Sequence, residues 1–171
     1  ISRVEIVRGP GSAIHGADAF SGTINVITKD GQEINGTQTG LRYGSFDTIA
    51  SWAQHGGQYN GWDVAASVET QKTDGDDNRI IDQDALGSGL PSLTPGPLDT
   101  KYDLIETHLA LRKNHWNLRF YGNWFDHNGL GAGGAQVLNE GSYIDGGVFS
   151  GDIVYQTEEW AKNWDIQLRA N

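Results

Sequence analysis

Hydrophobic and polar residues alternate along most of this chain with a period of two. In one such segment Val64 and Val68 share a face, while Asp63 and Glu69 lie on the opposite face. This alternation is typical of β-strands that have one apolar and one polar side. The pattern predicts about seven strands, at residues 37–43, 48–55, 62–71, 103–112, 116–124, 149–156 and 164–170.

The connections between these segments differ in length. Turns are predicted at Gly44–Asp47, Gly56–Gly61 and Asn114–His115, whereas long polar gaps run from about Asp74 to Thr100 and from Asp126 to about Asp145. From the third strand onward, long and short connections alternate. An outer-membrane barrel has short turns on one side and longer loops on the other. The alternation therefore favours an antiparallel, membrane-embedded β-barrel over a soluble sandwich.

Tryptophan recurs directly after the short turns, in Asn60-Gly61-Trp62, Asn114-His115-Trp116 and Asn163-Trp164. Each Trp opens a strand on its apolar face, which places all three at one rim. Such a belt is expected where a barrel meets the membrane–water interface. Trp116 and Trp124 share a face and span roughly 20 Å along the membrane normal, at about 3.3 Å per residue and about 40° tilt. That span approaches the roughly 25 Å apolar band of such barrels.

The stretch from Val4 to Lys29 has a different pattern. Val4 to Arg8 alternate as a short strand, which Gly9-Pro10-Gly11 then breaks. A run of small residues follows, with Ser12 in position to cap a short helix. The apolar run from Thr23 to Thr28 predicts a second, fully buried strand. Together these features predict a compact strand–turn–helix–strand unit.

This stretch resembles the end of the plug domain of TonB-dependent outer-membrane receptors. The family pattern runs roughly V-E-V-(I/L)-R-G-P-x-S-A-L-Y-G-A-x-A-x-G-G-x-I-N-(I/V)-I-T-K, and this chain reads VEIVRGPGSAIHGADAFSGTINVITK. His15 stands where the family usually has Tyr, and Ser21 where it often has Gly, but the turn glycines are kept. By the resemblance, the plug motif here consists of Arg8, Gly9, Pro10, Gly16, Gly22 and Asn25.

The resemblance implies a mainly β fold with two parts. Residues 1–30 would be the C-terminal part of an α/β plug, and residues 31–171 the N-terminal part of a transmembrane antiparallel β-barrel. Receptor barrels of this family have about 22 strands around a plugged lumen, so the seven strands would form about a third of the wall. A signal peptide and the TonB-contacting segment are expected to lie outside this chain.

Composition limits the remaining possibilities. The mean hydropathy is -0.49 and no apolar run reaches 18 residues, which a barrel permits because only every second strand residue faces lipid. The net charge of -10 disfavours nucleic acid as a partner, since a phosphate backbone attracts basic surfaces. The absence of cysteine excludes disulfides and thiolate metal sites. The five histidines are scattered, so no zinc site is expected.

No catalytic residues are predicted, and the chain is not expected to be an enzyme. Ser12, His15 and Asp18 lie close in sequence, but a catalytic triad also needs an oriented base and an oxyanion hole. The sequence offers no nucleophile elbow to supply them.

One acidic segment offers weak candidates for a metal site. Five aspartates fall close together around glycine and asparagine, and hard oxygen ligands of this kind suit Ca²⁺. The segment is not an EF-hand, because no Glu closes the loop. A solvated acidic loop is the simpler interpretation, although some receptors that the chain resembles order outside loops with Ca²⁺. No other cofactor is expected. The candidate ligands are Asp74, Asp76, Asp77, Asp82 and Asp84.

Glu5 and Arg8 are candidates for a latch between plug and barrel. In the family that the chain resembles, plug arginines pair with carboxylates on the inner barrel wall. A buried pair adds little net stability but is costly to break on one side, which suits a plug that must stay seated yet rearrange. A simple pair within the plug is the alternative.

The resemblance implies an outer-membrane receptor that imports a scarce, large ligand with energy supplied through TonB. The family's usual ligands are ferric siderophores, haem and cobalamin, that is, a metal chelate or a vitamin. Membrane lipid and TonB would be the other partners. Ligand contacts are not part of the motif, so the ligand-binding residues stay unknown. The polar-face residues that the lumen geometry would permit as contacts are Arg42, Arg119, Tyr121 and Asn123.

Three alternatives remain open. A passive porin-like channel would share the barrel, but a plugged lumen does not leak. A soluble all-β carbohydrate-binding module would account for the Trp and Asp content. A receptor for oligosaccharides would share every feature above.

Overall fold

The computed structural model of the chain describes residues 1–9, 21–131, 136–139, 142–161 and 164–171, with the backbone alone at 158–161 and 164. Strands dominate, which confirms the predicted mainly β fold. Within the described residues, no helix is long and apolar enough to cross a membrane. The elements are β1 (Arg3–Arg8), β2 (Gly22–Ile27), α1 (Gly31–Ile34), β3 (Gly36–Gly44), β4 (Thr48–Tyr59), β5 (Trp62–Thr73), β6 (Ile80–Ile81), β7 (Gly96–Pro97), β8 (Tyr102–Lys113), β9 (Trp116–Gly129), β10 (Tyr143–Ala161) and β11 (Trp164–Ala170).

Seven strands form one antiparallel sheet in the order β3-β4-β5-β8-β9-β10-β11. Every neighbour in the sheet is also the next long strand along the chain. The short pair β6–β7 lies within one loop, and β1–β2 form a separate antiparallel pair. This up-and-down topology is consistent with part of a barrel wall.

From β4 onward the connections are sorted by length between the two ends of the large sheet, whereas the short turn at residues 45–47 joins β3 to β4 at the same end as the long loops. At one end, here called the short-turn end, residues 60–61 join β4 to β5 and residues 114–115 join β8 to β9. The pairing of β10 with β11 reaches Ala161 and Trp164 at this same end. Asn60 and Gly61 both have positive φ, 51° and 79°, as a two-residue hairpin turn requires. At the other end, here called the long-loop end, residues 74–101 and 130–142 join β5 to β8 and β9 to β10. The predicted alternation is confirmed.

Several strand boundaries differ from the sequence prediction. β4 continues to Tyr59, so Gly56 to Tyr59 are strand and not turn. Gly56 pairs with strands on both sides. Its lack of a side chain leaves room for the neighbouring α1. β9 extends to Gly129 and β10 begins at Tyr143, so the second long gap is shorter than predicted.

The large sheet has two faces of opposite character, and its apolar face is exposed. Leu41 is 82% exposed, Trp124 59% and Leu168 63%. Among the described residues, the buried hydrophobic side chains are only Ile34, Ala50, Ala65 and Leu138. The described chain therefore has no packed core beneath this face. Such a surface fits contact with lipid and disfavours a soluble module.

The pair β1–β2 is also exposed, which corrects the expectation of a fully buried second strand. Ile24 is 68% exposed and Val26 52%. No second layer of the described chain covers the pair, so both of its faces reach solvent. The predicted helix after Ser12, and with it Pro10 and Gly16, lies outside the described residues.

A short helix, α1, joins this pair to the sheet and was not predicted. Its N-cap is Asp30, whose side chain accepts a hydrogen bond from the Glu33 amide at 2.9 Å. Glu33 in turn accepts from the Asp30 amide at 3.1 Å, which completes a capping box. The helix packs on β4 and β5, where Ile34 is buried. The Asp-x-x-Glu spacing was the sequence signal for it.

Candidate functional site

Ion pairs cross the polar face of the large sheet. Arg42 of β3 pairs across β4 with Glu69 of β5, and the small residue Ala50 of β4 lies opposite Arg42. Nearer the short-turn end, Asp152 of β10 accepts hydrogen bonds from arginines on both neighbouring strands, Arg119 of β9 and Arg169 of β11. The Arg169–Asp152 distance is 2.8 Å. These pairs fix charged side chains along a surface that would line a lumen.

The predicted lumen contacts all lie on this polar face, but in two places. Arg119, Tyr121 and Asn123 form a column on β9. Arg42 lies on β3, four strand spacings away, or roughly 19 Å at about 4.8 Å per strand. The sheet therefore brings three of the four together. Their role as ligand contacts stays a prediction.

A histidine joins the column on β9. His108 of β8 lies opposite Tyr121, with ring centroids 4.9 Å apart. Its Nε2 atom lies 2.8 Å from Oε1 of Glu106. No local sequence pattern predicts this cluster, because its members become neighbours only through the register of β8 and β9.

The two long loops pack against each other at the long-loop end. We call residues 74–101 the first loop, and the described residues between β9 and β10, at positions 130–131, 136–139 and 142, the second loop. The Leu93 amide of the first loop donates to the Leu138 carbonyl of the second at 3.1 Å, and the Ala85 amide donates to the Gln136 carbonyl at 3.1 Å. Leu138 is 4% exposed and Ser92 2%. Between them the loops thus have a small buried interior of their own.

Asp84 of the first loop lies at the centre of this contact. Its Oδ2 atom accepts from the Ser92 hydroxyl at 2.5 Å and from the Leu138 amide at 2.8 Å. Its Oδ1 atom accepts from the Leu86 amide at 2.8 Å. These hydrogen bonds, that from Ser92 above all, lower the pKa of the Asp84 carboxyl below its usual value.

The aspartates predicted as calcium candidates are not gathered into one group. Among the described residues, no three of them bring carboxylate oxygens within 4.8 Å of one another. Asp76 accepts from the Asn78 amide at 3.0 Å, and both oxygens of Asp84 are engaged as described. Calcium binding by Asp74, Asp77 or Asp82 and their neighbours stays a prediction.

A different group of possible metal ligands lies where β9 and β10 meet the second loop. Asp126, His127 and Asp145 bring ligand atoms within 4.8 Å of one another, and all three side chains are exposed. Within the group, His127 Nδ1 lies 2.9 Å from Asp126, and Asp145 accepts from the His127 amide at 2.6 Å. The His127 ring also stacks on Tyr143, with ring centroids 4.7 Å apart. Exposed groups of this kind are common without a metal, and we assign no metal site to this one.

The described plug-motif residues lie on β1 and β2 or next to them. Glu5 pairs with Arg3 at 2.7 Å and accepts from Asn25 of β2 at 3.2 Å, so its contacts lie within the pair of strands. Arg8 is exposed at the end of β1. Gly9 follows with φ of 101°, a conformation that favours glycine. The plug–barrel latch stays a prediction.

Comparison with known proteins adds a second line of evidence. The chain is 40% identical to the vitamin B12 transporter BtuB of Vibrio vulnificus over 63 residues, which is 33% of this chain and 10% of that protein. It is 37% identical to BtuB of Vibrio cholerae serotype O1 over 78 residues, 42% of this chain and 12% of that protein. The chain thus spans about a tenth of the length of these curated relatives. No protein-family model and no solved structure matches it.

Over a third to two fifths of its length, this chain is similar to TonB-dependent outer-membrane receptors. The relatives are outer-membrane proteins of Gram-negative bacteria, which confirms the predicted localisation. For a TonB-dependent receptor, the apolar face of the sheet is the side expected to meet lipid. The polar face, with its ion pairs, is then the side expected to line the lumen.

Proposed function

We propose that this chain is part of an outer-membrane transporter that imports cobalamin, with energy supplied through TonB. The observation that carries the proposal is the similarity to two transporters named for vitamin B12. The plug motif between Arg8 and Asn25 supports active transport, because a plugged lumen does not leak. In this proposal the protein does no covalent chemistry. It binds its ligand at the long-loop end and releases it through the lumen.

Each part of the described chain has a place in this proposal. The exposed apolar face of the sheet contacts the lipid, with Trp62 and Trp116 at the short-turn rim. The strand pair β1–β2 belongs to the plug, and its exposed apolar side chains pack against parts of the plug beyond these strands. The first and second loops lie outside the membrane, where a ligand first meets the receptor.

Ferric siderophores and haem remain alternative ligands of the same kind of receptor. A passive channel is the alternative mechanism. The plug motif argues against a channel, and the exposed apolar face argues against the soluble carbohydrate-binding module. The choice among ligands depends on uptake measurements.

Uptake by cells that express the full-length protein tests the proposal. Labelled cobalamin, ferric siderophores and haem are offered separately, with and without a protonophore, and in a strain that lacks TonB. We expect saturable uptake of cobalamin, and we expect both the protonophore and the loss of TonB to abolish it. Cells without the protein provide the background.

Two results would contradict the proposal in different ways. Saturable, TonB-dependent uptake of a siderophore or haem in place of cobalamin would support an active receptor but contradict cobalamin as its ligand. Non-saturating entry of small solutes that needs neither TonB nor a proton gradient would mean a channel, and Val4 to Lys29 would not act as a plug.

A further inference from the structure

The two long loops share one hydrogen-bonding centre. Asp84 of the first loop accepts the Leu138 amide of the second loop with the same Oδ2 atom that accepts the Ser92 hydroxyl. Its Oδ1 atom accepts the Leu86 amide. One carboxylate therefore joins two chain segments that lie 54 residues apart in sequence.

Two of the three residues that donate hydrogen bonds to Asp84, Ser92 and Leu138, are buried. Ser92 and Thr94 are 2% and 3% exposed, and their hydroxyls lie 2.9 Å apart. The Thr94 hydroxyl donates onward to the Gly87 carbonyl at 2.8 Å. A buried donor that loses its acceptor has no water to replace it, and that loss is costly. The carboxylate thus supports the fold of the first loop and its contact with the second loop together.

Apolar packing and backbone hydrogen bonds reinforce the same contact. Leu138 is buried beside Gly96, where a Cβ atom would lie 3.0 Å from the Leu138 Cδ2 atom and 2.7 Å from the Leu93 carbonyl oxygen. A side chain at Gly96 would therefore push the second loop away without touching Asp84. The two loops are also joined by the Leu93–Leu138 and Ala85–Gln136 backbone hydrogen bonds.

We propose that Asp84 joins the first and second loops into one cooperative cap at the long-loop end, so that the two loops open together. Two independent flaps would each open at their own rate. A single cap opens at one rate, which the Asp84 contacts set. The proposal concerns the loops alone and holds whichever ligand the protein transports.

Hydrogen exchange of backbone amides in the full-length protein, purified in detergent micelles without ligand, tests the proposal. The test variant is Asp84→Ala. We expect exchange in residues 84–94 and in residues 136–139 to accelerate by a common factor of about ten or more, because three hydrogen bonds lose their acceptor. The control is Asp82→Ala, whose side chain is exposed two positions away. It should leave both segments unchanged.

A second variant disturbs the contact between the two loops without changing Asp84. Gly96→Ala places a methyl group against Leu93 and Leu138 and should also accelerate exchange in both segments. Its control is Gly151→Ala, where a Cβ atom meets nothing within 4 Å. Ser92→Ala, which removes only one donor to Asp84, serves if Asp84→Ala does not assemble. Acceleration confined to residues 84–94, with residues 136–139 unchanged in these variants, would overturn the proposal.

Discussion

Ile34 of α1 packs directly onto Gly56 of β4. A Cβ atom on Gly56 would lie 2.6 Å from the Ile34 Cβ atom and 2.8 Å from the Gly31 carbonyl oxygen. The Gly31 amide also donates to Asp63 of β5 at 3.0 Å, so the helix is held by packing and by a hydrogen bond. The segment that follows β1–β2 is thereby fixed to the sheet next to the short-turn end.

Gly56→Ala should therefore displace α1. Forcing a methyl group into a packed contact costs about 1–3 kcal/mol, and we expect the free energy of unfolding of the full-length protein to fall by that amount. Urea-induced unfolding from lipid vesicles measures it. The matched control Gly151→Ala introduces the same methyl group into open space. Equal effects of the two variants would show that α1 does not rest on Gly56.

A charge on the apolar face should be far more costly than the same charge on the polar face. Phe120 and Tyr121 are neighbours in the middle of β9 and lie on opposite faces, with Phe120 45% exposed. Arginine on the lipid side near the membrane midplane costs about 2–4 kcal/mol. We expect Phe120→Arg to lower the free energy of unfolding by that amount, measured in lipid vesicles.

Tyr121→Arg is the control for this prediction, since its side chain would face water in the lumen. It should change the free energy of unfolding by less than about 1 kcal/mol. If both variants were equally stable in lipid, the apolar face would not be the face that meets the membrane.

Asp152 should couple β9, β10 and β11 energetically. Its side chain is 14% exposed and accepts from both Arg119 and Arg169, whose side chains are each 55% exposed. Because the arginines can be rehydrated, we expect a coupling energy of only about 1 kcal/mol between Asp152 and Arg169. A double-mutant cycle with Asp152→Ala and Arg169→Ala measures it. Strictly additive effects would mean that the pair contributes no interaction of its own.

The strands could be predicted from the sequence because both their faces and their ends carry local signals. β5 begins at Trp62, directly after the Asn60–Gly61 turn, and its side chains alternate throughout. The antiparallel order followed from the lengths of the connections. These features depend on neighbouring residues alone, and so the sequence displays them.

Other features arise only when distant segments meet. Gly56 is typical of a turn in the sequence, yet it lies within β4. Glycine is required there because α1 packs directly against it. Asp84 looks like one of several acidic loop residues, but its oxygens accept from Ser92 and from Leu138 of the other loop. No local pattern marks either contact. From the sequence, the candidate site could therefore be predicted only as a polar face of the sheet with long loops at one end.

At low pH, Asp84 should no longer stabilise the contact between the first and second loops. Hydrogen bonds from Ser92, Leu138 and Leu86 lower the pKa of the Asp84 carboxyl in the folded protein, and these donors are neutral hydroxyl and amide groups. The folded state thus binds this proton less readily than the unfolded state does. The stabilisation is complete above the ordinary carboxyl pKa of about 3.9 and disappears as the pH falls through the lowered value.

Comparison of wild type with Asp84→Asn isolates this effect, because the intrinsic pH dependence of hydrogen exchange cancels in the ratio of their rates. For residues 136–139 we expect the variant to exchange faster at neutral pH, and the ratio to approach one as the pH falls below the lowered pKa of Asp84. The control Asp82→Asn should give a ratio near one at every pH. A ratio for Asp84→Asn that stays constant across this range would mean that the charge on Asp84 does not hold the second loop.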